Sequence, residues 1–210
     1  MKRIFQENRS FFLFILGMMM FRSAIADWND VPTGSMLPTI TEGDRITVNK
    51  MAYGLRLPFT DQLLTSAETA KRGDIVVFDS EAADKRLVKR VIGLAGDTVA
   101  MRKHRLIING RPLAYETLEN DILIEHLAGH SHKVRIDNVN SPLANFSAVT
   151  VPDGHYLVLG DNRNNSADSR VYGFIPQKEL RGRADSVAIS FDYENYFLPR
   201  QERFGLKLDE

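Results

Sequence analysis

The sequence predicts a mostly β protein with antiparallel strand pairing, preceded by one N-terminal apolar helix. Three observations support this fold class. A single long apolar run lies near the N-terminus, between positions 11 and 21. From Val31 onward, short β-type runs alternate with turns, which is typical of antiparallel sheets. Helical periodicity is weak elsewhere, and Asp61–Ala70 is the best helical candidate.

Composition indicates a folded globular protein and excludes several kinds of site. The 210 residues include 27 Lys and Arg and 27 Asp and Glu, so the formal net charge is zero. That balance argues against a dedicated nucleic-acid binder, which usually carries a basic surplus. The absence of cysteine excludes disulfides, thiol nucleophiles and cysteine-ligated metal sites. The length suits one domain with an appendage.

The apolar run Phe11–Phe21 follows three basic residues, at positions 2, 3 and 9. A membrane span needs about 20 apolar residues. The stretch Ser10–Ala26 approaches that length if Arg22 and Ser23 lie at the interface, where an arginine can extend its charge towards water. The basic flank predicts that the N-terminus stays in the cytoplasm. We therefore expect a single membrane helix with the remaining chain on the other side of the membrane.

Two alternatives for this segment stay open. A cleavable signal peptide also has a basic start and a short apolar stretch, and Ala24-Ile25-Ala26 supplies a small-x-small cleavage pattern. The other alternative is a buried helix of a soluble protein. The preferred organisation has a cytoplasmic N-terminus and anchor at 1–27, an extracytoplasmic β domain at 28–200 and a C-terminal tail at 201–210.

Six runs after the apolar segment have the character of strands. One of them, Leu106–Leu113, contains Asn109-Gly110 between apolar flanks, the strongest short signal for a hairpin. The stretch 115–150 has less pattern and many polar residues, so we expect a variable insertion or a long excursion from the sheet. The other five runs are Arg45–Val48, Asp74–Phe78, Leu87–Leu94, His155–Leu159 and Ser186–Phe191.

The first candidate for chemistry is Ser35, within Pro32-Thr33-Gly34-Ser35-Met36-Leu37-Pro38-Thr39. Prolines on either side restrict the backbone, and a glycine leaves room for a substrate to approach. The same composition is typical of a plain turn, which is the alternative. A serine hydroxyl becomes a nucleophile only beside an activating base.

Histidine is the usual base, but none of the five is a strong candidate. His126, His130 and His132 fall in the polar excursion, where we expect a solvated loop rather than a metal site. His104 and His155 lie beside strand signals and are expected at the surface.

Lysine is the second kind of base, because apolar burial can lower its pKa by several units. Lys89 lies in a strand-like run in which alternate residues face opposite sides. Lys89 and Arg90 therefore face opposite ways, and one of the two charges points to the more buried face. A half-solvated strand would place Lys89 in water, and periodicity alone does not decide.

The loop Gly160–Arg170 is unusually polar and follows an apolar strand. It does not fit a calcium-binding loop, because Arg163 takes the third position and the sixth is not glycine. Two interpretations remain: an Asn-rich turn, or a shell of hydrogen-bonding groups that holds a catalytic side chain. In the second, Ser166 would bind a neutral amine, while Asp168 and Arg170 would pair and fix the loop.

Taken together, these segments resemble bacterial type I signal peptidases, the membrane-bound serine proteases that remove signal peptides. The resemblance covers most of residues 31–190, in the family's order. Three positions depart from the common pattern: Thr33 stands where many members carry serine, Ala95 replaces a common proline and Asn164 a common aspartate. The matching segments are Thr33–Thr39, Gly43-Asp44, Arg72–Phe78, Lys89–Asp97, Gly160–Arg170 and Tyr172–Pro176.

The resemblance implies a signal-peptidase-like antiparallel β catalytic core with a variable insertion, and a role for each candidate residue. Ser35 would be the nucleophile and Lys89 the general base. The Ser35 N–H and the Thr33 hydroxyl would form the oxyanion hole. Ser166 would orient the Lys89 amine, and Asp168 with Arg170 would brace the loop. The mechanism implies no metal and no organic cofactor.

The implied partners are preproteins cleaved after small-x-small sites, commonly Ala-x-Ala, and membrane lipid, with no nucleic acid. The implied location is the bacterial inner (cytoplasmic) membrane, with the catalytic domain on the periplasmic side. Three other functions stay open: a peptidase dedicated to one conjugation or pilus substrate, a catalytically silent membrane-tethered scaffold, and a self-cleaving repressor of the LexA type. The last needs a DNA-binding domain where this chain has an apolar segment. The oligomeric state is unknown from sequence.

Overall fold

The computed structural model describes residues 8–24, 26–54, 57, 64–65, 68–119, 121–127 and 129–208. Helix α1 covers Arg9–Ala24, and the short helix α2 covers Ser169–Tyr172. The strands in these residues are β1 (Ala26–Asp30), β2 (Asp44–Asn49), β3 (Ile75–Ser80), β4 (Lys85–Gly93), β5 (Thr98–Arg102), β6 (Arg105–Ile108), β7 (Arg111–Pro112), β8 (Ala114–Thr117), β9 (Ile122–Leu127), β10 (His130–Arg135), β11 (Phe146–Thr150), β12 (His155–Leu159), β13 (Ile175–Pro176), β14 (Leu180–Asp192) and β15 (Leu198–Pro199).

The strands form three antiparallel sheets, which confirms the predicted mostly β, antiparallel fold class. The largest has the order β1-β2-β14-β3-β4-β12-β13, with β15 paired to β14. A second has the order β11-β5-β6-β7, and a third β10-β9-β8. All six runs predicted as strands overlap strands of the structure.

The Asn109-Gly110 pair forms the predicted hairpin turn between β6 and β7. Both residues have positive φ, 52° and 76°, the backbone that a tight two-residue hairpin turn requires. Ile108 pairs with Arg111 across the turn. The Asn109 side chain accepts a hydrogen bond from Thr98 N, 2.9 Å away, so the turn is tied to β5.

The stretch 115–150 is more regular than we expected. It contains β9 and β10, nearly all of β8, and β11, which pairs with β5 of the neighbouring sheet. Burial alternates along β9, but one of its inward residues is Glu125. An ionised residue at a core position hides the apolar alternation on which strand prediction depends. The limits of the domain and of the insertion stay predictions.

Strand β4 is packed on both faces. Leu87 and Val91 contact a cluster that includes Phe78 and Tyr156. The opposite face packs through Val88 and Ile92 against two further clusters. Strand alternation therefore does not separate a buried from a solvated side here, and both charged residues at the centre of β4 lie in the interior.

Helix α1 is 16 residues long. No helix in the described part of the chain is long and apolar enough to cross a membrane, so the predicted membrane helix is not confirmed. Five apolar side chains of α1 are nevertheless 55–63% exposed, so α1 is not a helix buried in the core of this chain. These side chains are Phe11, Leu13, Phe14, Met18 and Met19.

Two sequence predictions concern residues that the structure describes only in part. The cleavage pattern at 24–26 includes Ile25, which lies outside the described residues. The helix predicted at 61–70 includes 61–63 and 66–67, which also lie outside them.

Candidate active site

Ser35 lies on a single 3₁₀ turn, Gly34–Met36, between β1 and β2. Met36 anchors the turn by packing in the core beside Val31 and Ile40, whereas Ser35 is half-buried. Asn162 holds the turn from the other side: its backbone N–H donates to Ser35 O at 3.1 Å, and its side-chain amide donates to Gly34 O at 3.0 Å. The Ser35 hydroxyl therefore stands on a backbone fixed from both sides.

The Lys89 amine reaches Ser35. Lys89 Nζ lies 2.7 Å from Ser35 Oγ and donates to Val88 O at 2.8 Å. The side chain comes from the interior of β4 and is only 2% exposed. The structure thus brings together the two residues on which the sequence hypothesis depends, although they are 54 positions apart.

Burial lowers the pKa of Lys89 from 10.5 to about 8. Removal from water disfavours the charged amine, and this effect exceeds the opposing attraction of the Asp168 and Asp161 carboxylates. A substantial fraction of the amine is therefore neutral near pH 8. A neutral amine carries a lone pair, so at 2.7 Å it can accept the Ser35 proton.

Asp168 and Arg170 form the predicted pair beside this site. Arg170 Nε and Nη2 donate to the two carboxylate oxygens at 2.8 and 2.7 Å, and Gly160 N donates to the same carboxylate at 2.9 Å. Burial alone would raise the pKa of Asp168, but the hydrogen bonds and charge of Arg170 hold it below its usual range. Arg170 also donates to the carbonyls of Leu143 and Arg163, so the pair closes the polar loop.

Ser166 is buried next to the nucleophile turn but does not bond to Lys89 in this structure. Its hydroxyl forms no hydrogen bond of normal geometry with the described residues, although it lies near enough to Asp168 to help lower the pKa of that carboxylate. A Cβ added at Gly160 would lie 2.2 Å from Ser166 Oγ and 2.4 Å from Ser35 O. Only glycine at position 160 therefore lets the polar loop lie against the nucleophile turn.

Thr33 and the nucleophile line a cleft of about 590 Å³. Thr33 is exposed on extended backbone at the cleft wall. One side of the cleft is the edge of β4: β12 pairs with that edge only from Arg90 to Gly93, and no strand in the described residues pairs with it at 85–89. The cleft is lined by Asn29–Met36, Glu42, Lys85–Lys89, Asn165 and Ala167.

Comparison with known proteins identifies the family. A family model described as signal peptidase, peptidase S26, matches residues 4–189. The signal peptidase I of Pseudomonas aeruginosa PAO1 is 34% identical over 222 residues, which cover 96% of this chain and 78% of that protein.

The chain belongs to the signal peptidase family. It is accordingly an enzyme, a serine endopeptidase that acts on signal peptides, as the resemblance of its motifs implied. The signal peptidase I of Pseudomonas fluorescens is 32% identical over the same shares of the two chains. A crystal structure of a signal peptidase I from Enterococcus faecalis V583 has a TM-score of 0.38 and 32% identity, covering 56% of this chain and 98% of that one.

A buried ionic network supports the site, and sequence reasoning missed it. Arg90 donates to both oxygens of Asp161, at 2.9 and 2.8 Å, and both side chains are 1% exposed. Thr39 Oγ1 donates to the same carboxylate. Asp161 directly precedes Asn162, which holds the nucleophile turn. Asp161 lies in the polar loop that the sequence analysis singled out, but no rule of sequence spacing pairs it with Arg90, 71 positions away.

A second buried ion pair joins the β8–β10 sheet to the polar loop. Arg163 Nη2 donates to Glu125 Oε1 at 2.7 Å, and the Tyr115 hydroxyl donates to the other carboxylate oxygen. Burial alone would raise the pKa of Glu125, but the charge of Arg163 holds it well below its usual range. The backbone bonds Arg135 N to Asp161 O and Arg163 N to Arg135 O tie the same sheet to the loop.

The predictions for four of the five histidines differ from the structure, whereas His155 lies partly exposed on β12, near the surface as predicted. His126, His130 and His132 lie on β9 and β10 rather than in a solvated loop, and His132 is buried 3.3 Å from Glu125. His104 is fully buried instead of at the surface, and burial, followed by the charges of Arg170 and Arg163, lowers its pKa to about 4. Among the described residues, no histidine lines the cleft that contains Ser35.

Proposed function

We propose that the chain cleaves exported preproteins after small-x-small sites, commonly Ala-x-Ala, with Ser35 as nucleophile and Lys89 as general base. The observation that carries this proposal is the 2.7 Å contact between Lys89 Nζ and Ser35 Oγ, formed by a buried amine whose pKa is lowered to about 8. No metal or organic cofactor enters the mechanism.

Acylation begins when neutral Lys89 takes the Ser35 proton and Oγ attacks the scissile carbonyl. The Ser35 N–H and the Thr33 hydroxyl stabilise the tetrahedral oxyanion, and one such donor is typically worth about 3 kcal/mol. Protonated Lys89 then donates its proton to the leaving amine, which leaves an acyl-enzyme. In the second half, Lys89 takes a proton from water as the water oxygen attacks the ester carbonyl. The bond between Ser35 Oγ and the acyl carbon then breaks, and protonated Lys89 returns the proton to Ser35 Oγ.

Three residues of the polar loop act as positioning residues in this proposal. Asp168 and Arg170 fix the loop that lies beside Lys89, and their charges act on the Lys89 pKa in opposite directions. Ser166, whose buried hydroxyl forms no hydrogen bond with the described residues, orients the neutral amine before it takes the Ser35 proton. The 2.7 Å distance between Lys89 Nζ and Ser35 Oγ favours a catalytic role over the alternative of a catalytically silent scaffold.

The substrate lies as an extended segment along the unpaired edge of β4. Peptides that add a strand to a sheet edge gain main-chain hydrogen bonds, while pockets on alternate sides select side chains. Small residues at the first and third positions before the cut fit this arrangement, since alternate side chains of a strand point to the same face.

The enzyme works at a membrane in this proposal. The exposed apolar side chains of α1 favour contact with lipid over water. We propose a single-pass anchor in the inner membrane of a bacterium, with the β domain on the extracytoplasmic side. Whether the clients are many preproteins or one conjugation or pilus protein depends on contacts beyond the dyad.

The test is cleavage of a preprotein with an Ala-x-Ala site, in detergent or lipid, by the wild type and by Ser35→Ala. We expect cleavage by the wild type alone, because Ser35→Ala removes the attacking oxygen and leaves the buried framework intact. Circular dichroism checks that both proteins are folded. Cleavage that survives in folded Ser35→Ala would contradict the nucleophile assignment, and no cleavage by folded wild type would favour a dedicated substrate or the silent scaffold.

A further inference from the structure

The first residue of β4, Lys85, is a cation that lines the cleft. It is exposed, and no carboxylate in the described part of the chain pairs with it. Its neighbour Arg86 differs, because Arg86 Nε and Nη2 donate to the two oxygens of Asp79 at 2.7 and 3.1 Å. Of the neighbours Lys85 and Arg86, Lys85 is therefore the one whose charge has no carboxylate partner among the described residues.

Strand geometry relates Lys85 to the reacting groups. Lys85 and Lys89 are separated by an even number of residues, so they face the same side of β4. Four steps at about 3.3 Å each place the two Cα positions about 13 Å apart. A substrate strand along the unpaired edge, with its scissile bond at Ser35, therefore brings a side chain about four residues from the cut beside Lys85.

Two carboxylates also line the cleft. Asp30 is neutralised by Arg45, 2.8 Å away, but Glu42 is an exposed carboxylate that lines the same cleft. An acidic substrate side chain in the cleft is thus attracted by Lys85 and repelled by Glu42. The charge of Lys85 also acts on the Lys89 amine, so the two groups lie within electrostatic range.

We propose that Lys85 is a specificity-determining residue that binds a carboxylate of the substrate, so that the enzyme favours preproteins with an acidic side chain about four residues from the cleavage site. This inference rests on the proposed function, since the distance is counted from the Ser35–Lys89 pair. The ligand class is a side-chain carboxylate, aspartate or glutamate, on a peptide in extended conformation.

The test uses cleavable peptides that carry aspartate, asparagine or lysine at the third, fourth or fifth residue on either side of the scissile bond. Wild type, Lys85→Gln, Lys85→Glu and the control Lys133→Glu are compared by kcat/KM. Lys133 is an exposed lysine of β10 outside the cleft, so its replacement makes the same charge change elsewhere.

We expect wild type to favour aspartate over asparagine by about fivefold at one position, as for an exposed ion pair. Lys85→Gln should lose this preference, Lys85→Glu should favour the lysine peptide, and Lys133→Glu should behave like wild type. About 1 M salt should suppress the preference, because it screens charges beyond about 3 Å.

Two results would overturn the inference alone: equal rates for aspartate and asparagine peptides at every position, or a preference that persists in Lys85→Gln. In both cases the asparagine peptide is still cleaved, so the proposed function stands. If folded wild type cleaves none of the peptides, both the proposed function and this inference are contradicted.

Discussion

Replacing Lys89 with methionine is expected to slow cleavage by orders of magnitude and, at neutral pH, to stabilise the fold. General bases typically contribute 10²–10⁴-fold to rate, so activity should fall by about that factor. The gain in stability follows from the lowered pKa of Lys89, which measures the cost of burying its charge. Methionine fills a similar volume without a charge to bury.

The size of that gain depends on pH. The pKa of Lys89 falls from 10.5 to about 8 on folding, which corresponds to about 3 kcal/mol. Between pH 8 and pH 10.5 the Lys89 amine is protonated in the unfolded chain and neutral in the folded one, so wild-type stability rises with pH across this range. Below pH 8 the full cost is present. Because methionine also loses the hydrogen bonds to Ser35 and Val88, we expect a net gain of about 1–2 kcal/mol at pH 7, shrinking towards pH 10.5.

Urea unfolding at pH 7 and near pH 10 measures this difference, with Lys133→Met as the matched control. Lys133 is exposed, so its replacement should change stability by less than about 0.5 kcal/mol at either pH. Wild-type activity in folded Lys89→Met would show that Lys89 is not the base. A loss of stability that is equal at both pH values would show that burial of the amine is not costly.

The second large effect is expected at the buried pair of Arg90 and Asp161. Asp161→Asn leaves the guanidinium buried with no negative partner, and such a loss typically costs 3–5 kcal/mol. For a domain of this size we expect the melting temperature to fall by roughly 10 °C. The control is Asp185→Asn, which breaks the surface pair with Arg183 and should cost less than about 1 kcal/mol.

A double variant separates the charge effect from packing. Asp161→Leu with Arg90→Met removes both charges, and replacing a buried ion pair with apolar residues is often neutral or stabilising. The double variant should therefore be more stable than Asp161→Asn. If thermal unfolding shows that Asp161→Asn costs no more than the Asp185→Asn control, the ionic network does not support the fold.

Sequence predicts the parts of this enzyme that depend on local pattern. The strand that carries Lys89, the hairpin at Asn109-Gly110 and the turn that presents Ser35 all follow from periodicity and turn residues. The ion pair of Asp168 and Arg170 also follows, because two positions separate its members and the loop places them side by side.

What sequence could not predict are the buried ion pairs between residues far apart in the chain. Glu125 and Arg163 are fully buried because each neutralises the other, but a single sequence shows only a charged residue beside a histidine in a strand and an arginine in a polar loop. The burial of His132 could not be predicted for the same reason, because it depends on Glu125, which lies opposite His132 in the β9–β10 pair. The position of Ser166 depends on a close approach at Gly160, which is a property of tertiary packing.

The pH dependence of kcat/KM tests the central claim most directly, because it reports the pKa of the base in the free enzyme. With a preprotein that lacks ionisable groups near the cut, we expect kcat/KM to rise about tenfold per pH unit at low pH and to level off above an inflection near pH 8. Circular dichroism confirms folding across the range. An inflection near 6.5, the ordinary pKa of histidine, or a rate that does not change from about pH 6 to 10, would contradict the assignment of Lys89 as the base.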